Sequence, residues 1–265
     1  MAKLVISGDG KMGTMLAQGL DKVDGFEVVG LVSPLADSPE GTSEVIEGKS
    51  IPWSRLPRPV IEATGPDVLV DFTHADFAPV VIAAAVSSGV RPVVGTSGLD
   101  DEYLQEMRAQ CDSAGIGGLY AANFAIGAVV LQHLAKIASR FFERAELIEL
   151  HHEGKVDAPS GTALAIAEAM RTGRGSDFEF NRPQLTHIDG TRSGELSGIG
   201  IHSIRLPGFV ASHEIIFGDV EQKLTIRHDS IGRDSFLPGV TLGVQEVLAS
   251  SDFIVGLESI IGLEG

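Results

Sequence analysis

The chain of 265 residues has one cysteine, Cys111, so no internal disulfide can form. A lone thiol suits a reducing compartment, and the chain is read as cytoplasmic. Basic residues are scarce: 20 lysines and arginines stand against 36 acids, a formal net charge of −16. A surface of that sign repels polyanions, which argues against nucleic acid and anionic membranes as partners. No apolar run approaches the roughly 18 residues of a membrane span, and the first residues do not read as a cleavable leader. Two hydrolytic signatures are also missing. His152-Glu153 opens an H-E-x-x-H string, but Val156 stands where the second histidine belongs, and no metal is expected. Ala158-Pro159-Ser160-Gly161 is not a nucleophile elbow.

What the chain has is glycine, 32 residues of it, and short apolar runs. Leu4-Val5-Ile6, Phe26 to Val32, Val68-Leu69-Val70, Val93-Val94 and Leu119-Tyr120 read as buried strands. Helical stretches at Met12–Leu20, Pro79–Val86 and Asp100–Cys111 alternate with them, which predicts a parallel sheet covered on both faces. Residues 34–66 hold six of the twelve prolines and are expected to be an irregular surface excursion. After Asn123 the pattern changes. A long helix is predicted over Phe124–Phe142, a strand over Ala145–Leu150 and a helix over Ser160–Met170. A glycine- and charge-rich mobile loop is expected over 173–198. Strands follow at Ile199–Leu206, Val210–Phe217 and Gln222–Arg227, and a last helix at Phe236–Leu248. Three successive strands suggest a mixed or antiparallel sheet. The fold expected is α/β: a parallel-sheet domain over 1–122, completed by 232–265, and an α+β domain with a mixed sheet over 123–231. The acidity lies mainly in the first, because 123–231 carries 14 acids and 11 bases.

Gly8-Asp9-Gly10-Lys11-Met12-Gly13 is a literal G-x-G-x-x-G placed between the first strand and the first helix. Glycines there allow close backbone approach, and the helix start presents free N–H groups to a pyrophosphate. A dinucleotide is the implied ligand. An NAD-selective site would carry an acid about 20 residues further on, but that position is Ser33. Lys11 could also meet a 2′-phosphate. The expectation from sequence is therefore that NADPH is accepted at least as well as NADH.

The densest chemistry runs from Glu149 to Ala163: His151-His152-x-x-Lys155-x-Asp157-Ala158-Pro159-Ser160-Gly161-Thr162-Ala163. Two imidazoles and an ammonium follow a strand end, and Ser160-Gly161-Thr162 opens a helix that can offer N–H groups and hydroxyls to a carboxylate. Arg192 and Arg205 are weaker candidates for carboxylate contact.

This string resembles the signature of the 4-hydroxy-tetrahydrodipicolinate (dihydrodipicolinate) reductase family. The resemblance spans the chain, through Asp71-Phe72-Thr73, Gly95-Thr96-Ser97-Gly98, Ala122-Asn123-Phe124 and Ile226-Arg227-His228-Asp229-Ser230. It implies a Rossmann-type domain, a substrate and tetramerisation domain, and NADPH- or NADH-dependent reduction in lysine and diaminopimelate biosynthesis. It further implies that Ser7 to Gly13 bind the cofactor pyrophosphate, and that Gly95, Thr96, Ser97, Ala121, Ala122, Asn123 and Phe124 line the nicotinamide side. His151 becomes the proton donor or acceptor and Lys155 the proton donor. His152, Ser160, Gly161 and Thr162 hold a small dicarboxylate. Ser7 and Ser97 depart from the residues common in the family, and Ser33-Pro34 occupy its variable ribose-reading positions. Two other readings remain: a dinucleotide-binding protein without turnover, and a reductase of another small imine or carbonyl acid.

Overall fold

The computed structural model describes residues 1–263; Glu264 and Gly265, which end the expected 232–265 segment, lie outside the described residues. The described residues form two compact units, one of Met1–Phe124 and residues 233–263, the other of residues 125–232.

The first unit begins β1 (Ala2–Ser7), α1 (Lys11–Leu20), β2 (Phe26–Val32), β3 (Glu40–Ser43), β4 (Ile51–Ser54) and α2 (Pro57–Thr64). It continues β5 (Val68–Asp71), α3 (Ala78–Ser87), β6 (Arg91–Val94), α4 (Asp101–Ala114) and β7 (Gly118–Tyr120). The second unit holds α5 (Ile126–Ala138), β8 (Arg144–His151), α6 (Gly161–Arg174), β9 (Gly194–Leu196), β10 (Ile199–Arg205), β11 (Ala211–Asp219) and β12 (Gln222–Ser230). The chain then returns to the first unit with α7 (Leu237–Ala249) and β13 (Phe253–Val255).

The first sheet has the order β13-β7-β6-β5-β1-β2-β4-β3, parallel except for the edge strand β3. Its central strands are apolar on both faces, and Leu4, Val5, Ile6, Leu69 and Val70 are fully buried between helical layers. Asp100 caps α4 by accepting the Tyr103 N–H at 2.8 Å, and Asp101 and Glu102 complement its N-terminal dipole.

The proline-rich segment is irregular only in part, with turns and bends over 34–39 and 44–50. It forms β3, β4 and α2, because its prolines sit where they are harmless. Pro57 occupies the first turn of α2, where a missing N–H breaks no helical bond, and Pro52 lies in the short strand β4 near the sheet edge. The helix expected over Phe124–Phe142 is shorter at both ends. Phe124 is drawn into the core of the first unit, 5.4 Å from the Phe72 ring, and Ser139 closes α5 by donating to the Lys136 carbonyl at 2.7 Å. The three residues of β13 were too few to register as a strand in the sequence.

The second sheet is mixed, ordered β12-β11-β8-β10-β9, with only β8 and β10 parallel. Ala145 and Leu147 on β8 pack with Ile215 and Phe217 of β11 against Leu131 of α5 and Ile166 of α6. The segment 173–198 is pinned at several points rather than a free loop. Phe178 enters that core, and a turn through Ser197 (φ 52°) and Gly198 (φ 78°) folds β9 onto β10.

The glycine turn after β1 is sterically exact in one place. A Cβ on Gly13 would stand 1.8 Å from the Gly8 carbonyl oxygen, and backbone cannot yield as a flexible side chain would. Gly13→Ala should therefore destabilise the first unit by roughly 1–3 kcal/mol. Scanning calorimetry would show this as a lowered Tm, and an unchanged Tm would contradict the close approach.

Candidate active site

The two units each carry part of the expected chemistry. In the first, β1 and β2 are parallel with Ser7 beside Val32, so the glycine turn lies at the C-terminal end of the sheet. Gly10 stands at the N-cap of α1, and a Cβ built on it would meet no atom within 4 Å. Open space above uncapped N–H groups suits a phosphate. Lys11 and Asp9 are exposed, Met12 is half-buried, and Ser7, Gly8 and Gly13 are buried.

The residues expected beside a nicotinamide divide into two kinds. Ser97 and Ala122 are exposed and Gly95 and Asn123 half-buried, whereas Thr96, Ala121 and Phe124 are buried. The Thr96 hydroxyl turns inward, donating to Asp71 Oδ2 at 2.6 Å and accepting the Thr73 N–H at 2.8 Å. Burial raises the Asp71 pKa, against the pull of the Thr96 and Thr73 hydroxyls. Gly95 lacks a Cβ for a packing reason, since one would strike the Phe72 ring at 2.2 Å.

In the second unit, Ala145, Leu147, Glu149 and His151 alternate onto one face of β8, so that face passes from apolar to polar along the strand. Register sets Ser203 of β10 and His213 of β11 beside Glu149, and Arg205 beside His151. Glu149 is fully buried. It accepts from Arg205 Nη2 at 2.7 Å and makes a short hydrogen bond with His151 Nδ1. Burial alone would raise its pKa, but hydrogen bonds from Arg205 and Ser203 and the contact with His151 prevail and hold it below the usual carboxylate range. His151 is shifted down by burial, with Glu149 opposing and Lys155 and Arg205 reinforcing. A neutral imidazole donating from Nδ1 to a carboxylate leaves its Nε2 lone pair available.

After β8 the chain turns through Lys155 and Asp157, paired at 2.6 Å, and Arg205 Nη2 also donates to the Asp157 carbonyl at 2.6 Å. Ser160 is buried and caps α6, accepting the Ala163 N–H at 3.2 Å. Its hydroxyl also lies 3.4 Å from His213 Nε2, so it is engaged within the protein rather than turned out to a ligand. Gly161 is exposed with open space at its Cβ position, and Thr162 is half-buried. His152 is exposed, and its carbonyl accepts the Lys155 N–H at 3.1 Å.

The two candidate arginines have separate fates. Arg205 joins Glu149 and Asp157. Arg192 pairs with Glu146 and stacks 4.3 Å over Phe180. Glu146 faces the opposite side of β8 from Glu149, so Arg192 does not join the His151 cluster. Sequence reasoning missed His213. Its ring meets that of His151 edge-on at 5.5 Å, and it is buried. Only the β8–β11 register, which residue types do not announce, places it there. Among the described residues no cluster of histidine, cysteine and acidic side chains could hold a metal ion. None of their helices is long and apolar enough to cross a membrane.

The two-unit fold with its Rossmann-like parallel sheet is shared with an amine dehydrogenase from Mycobacterium smegmatis, which matches with TM-score 0.66 at 13% identity, covering 94% of this chain and 93% of that one. The profile described as "Dihydrodipicolinate reductase, N-terminus" matches residues 2–124, and its C-terminal counterpart matches 127–261. The chain belongs to the dihydrodipicolinate reductase family. Among its relatives, the 4-hydroxy-tetrahydrodipicolinate reductase of Dehalococcoides mccartyi (strain CBDB1) is 40% identical over 98% of both chains. That of Bacillus subtilis (strain 168) is 39% identical over 98% of this chain and 97% of the relative. A solved structure, dipicolinate-bound dihydrodipicolinate reductase from Paenisporosarcina sp. TG-14, aligns with TM-score 0.84 at 33% identity over 98% of this chain and 99% of that one.

The histidine pair sets an acid limit on stability. Burial first, then the neighbouring His151, pushes the His213 pKa down to about 4, with Glu149 opposing and His228 and Lys155 adding to the depression. In the unfolded chain the group titrates near the ordinary histidine value of 6.5. Its stabilisation is therefore complete above pH 6.5 and lost as pH falls towards 4, a change on the order of 3 kcal/mol. Urea unfolding across this window should show that loss, and His213→Gln should flatten it. A pH-independent midpoint in the wild type would refute the buried neutral histidine.

Proposed function

We propose that this chain reduces 4-hydroxy-tetrahydrodipicolinate to tetrahydrodipicolinate with NADH or NADPH, a step of lysine and diaminopimelate biosynthesis. The observation that carries this reading beyond kinship is the neutral His151, fixed at Nδ1 by buried Glu149, with the Lys155 ammonium one turn further on. In the net reaction one hydride and one proton enter the substrate and one water leaves. A bound reduced nicotinamide supplies the hydride.

The residues of the chain supply the rest. The turn from Ser7 to Gly13 holds the pyrophosphate through backbone N–H groups at the start of α1, and Gly95 to Ser97 with Ala121 to Phe124 border the nicotinamide. Thr96 contributes there through its backbone, because its hydroxyl is committed to Asp71 and Thr73. The helix start at Gly161 and Thr162, with His152, receives the substrate carboxylates, while Ser160 keeps that helix start in place. Hydride addition to a conjugated imine builds electron density that must be quenched by a proton. Lys155 Nζ donates it, and Asp157 holds the ammonium in place until then. His151, with its Nε2 lone pair directed away from Glu149, accepts a proton there and relays it.

The unit of residues 125–232 is proposed to hold substrate and build a homotetramer in the cytoplasm. Its edge strand β12 and exposed Phe141, Leu206 and Leu224 offer apolar surface that self-association would cover.

Following NADPH and NADH oxidation with freshly generated product of dihydrodipicolinate synthase tests the function. Lys155→Ala and His151→Gln should each lower kcat by roughly 10²–10⁴ while leaving cofactor binding nearly unchanged. Full turnover by Lys155→Ala would remove it from the proton-donor role. Cofactor binding without oxidation would favour a dinucleotide-binding protein that lacks turnover. Light scattering on the eluting protein should give the mass of four chains, and a monomer would overturn the tetramer.

A further inference from the structure

An NAD-selective site of this kind carries its ribose-binding acid at the end of the second strand, where this chain has Ser33. The structure brings a carboxylate to that place by another route. The Gly8 N–H donates to the Val32 carbonyl at 2.9 Å, which lays the turn after β1 across the end of β2. Gly8 adopts φ +114° there, a conformation that side chains disfavour, and a Cβ would stand 2.8 Å from the Phe72 carbonyl oxygen. The next residue, Asp9, accepts a short hydrogen bond from the Ser33 hydroxyl through Oδ2.

Ser33 is itself held. It is buried, its N–H donates to the Ser54 carbonyl at 2.9 Å, and its carbonyl accepts the Ala36 N–H at 3.2 Å. Asp9 is exposed, so the hydroxyl orients a carboxylate that still faces solvent. Its remaining lone pairs can accept from a ligand.

We infer that Asp9, oriented by Ser33, reads the adenosine ribose, and that the protein prefers NADH to NADPH. This rests on the reductase reading above and reverses the preference expected from Ser33 and Lys11. A ribose 2′-hydroxyl donates to a carboxylate, whereas a 2′-phosphate brings only acceptors and like charge. Pro34, which follows Ser33, has no N–H to offer a phosphate. Lys11 is the opposing group. It is exposed at the first residue of α1, on a long flexible stem, whereas Asp9 is tied to a buried partner.

Isothermal titration calorimetry of the purified protein, with NADH and NADPH in separate experiments, tests this without turnover. NADH should bind at least about tenfold more tightly, equivalent to about 1.4 kcal/mol. The fragments 5′-AMP and 2′,5′-ADP should rank in the same order. Asp9→Asn should narrow the ratio mainly by strengthening NADPH, and Ser33→Ala should narrow it by freeing the carboxylate. Equal affinities in the wild type, or a ratio unchanged by Asp9→Asn, would overturn the ribose assignment and leave the reductase reading standing. Failure of both dinucleotides to bind would overturn both.

Discussion

A carboxylate sealed from water must find donors for its lone pairs, and Glu149 imposes that demand on the second unit. Three neighbours meet it: Arg205 and Ser203 from the parallel strand β10 and His151 from two positions along its own strand. Removing Arg205 would leave a buried charge uncompensated, a loss of about 3–5 kcal/mol in comparable sites. The proposed chemistry follows from this arrangement. Because Nδ1 of His151 is committed to Glu149, the other ring nitrogen is the one left for a ligand. Because Arg205 also reaches the Asp157 carbonyl, the turn carrying Lys155 is anchored to the same ion pair.

The first unit has its own sealed carboxylate, Asp71, at the end of β5, and the contrast is instructive. Asp71 is surrounded by hydroxyls and a backbone N–H, which are neutral donors, and burial raises its pKa. Glu149 meets a guanidinium and an imidazole, and its pKa falls. The opposite shifts have two causes: Asp71 is the more deeply desolvated and meets only neutral donors, whereas Glu149 also meets a guanidinium. Asp71 knits β5 to the Gly95–Ser97 turn, whereas Glu149 sets up a proton-handling group.

Much of this was legible in residue order. Buried strands such as Leu4-Val5-Ile6 announce themselves because a strand covered on both faces has no polar positions. The glycine turn and the string from His151 to Ala163 are local, and their chemistry is visible at short spacing. Long-range register is not. His213 lies 62 positions from His151, and Asp9 lies 24 from Ser33, so only the strand pairings β8–β11 and β1–β2 bring them together. The proline-rich segment misled for a different reason. Counting prolines ignores that Pro57 begins a helix and Pro52 lies in a short strand near the sheet edge, where the missing donors are tolerated.

The return of the chain to the first unit has a consequence for how it is made. β13 pairs with β7, and α7 packs on β6 and β5, yet both elements follow the whole second unit in the chain. During synthesis the ribosome must deliver residues 125–232 before the first unit can close. Until then β7 is an open edge, able to template pairing with another nascent chain. The second unit is contiguous and can condense earlier, so it is poised to mature before the unit that begins the chain.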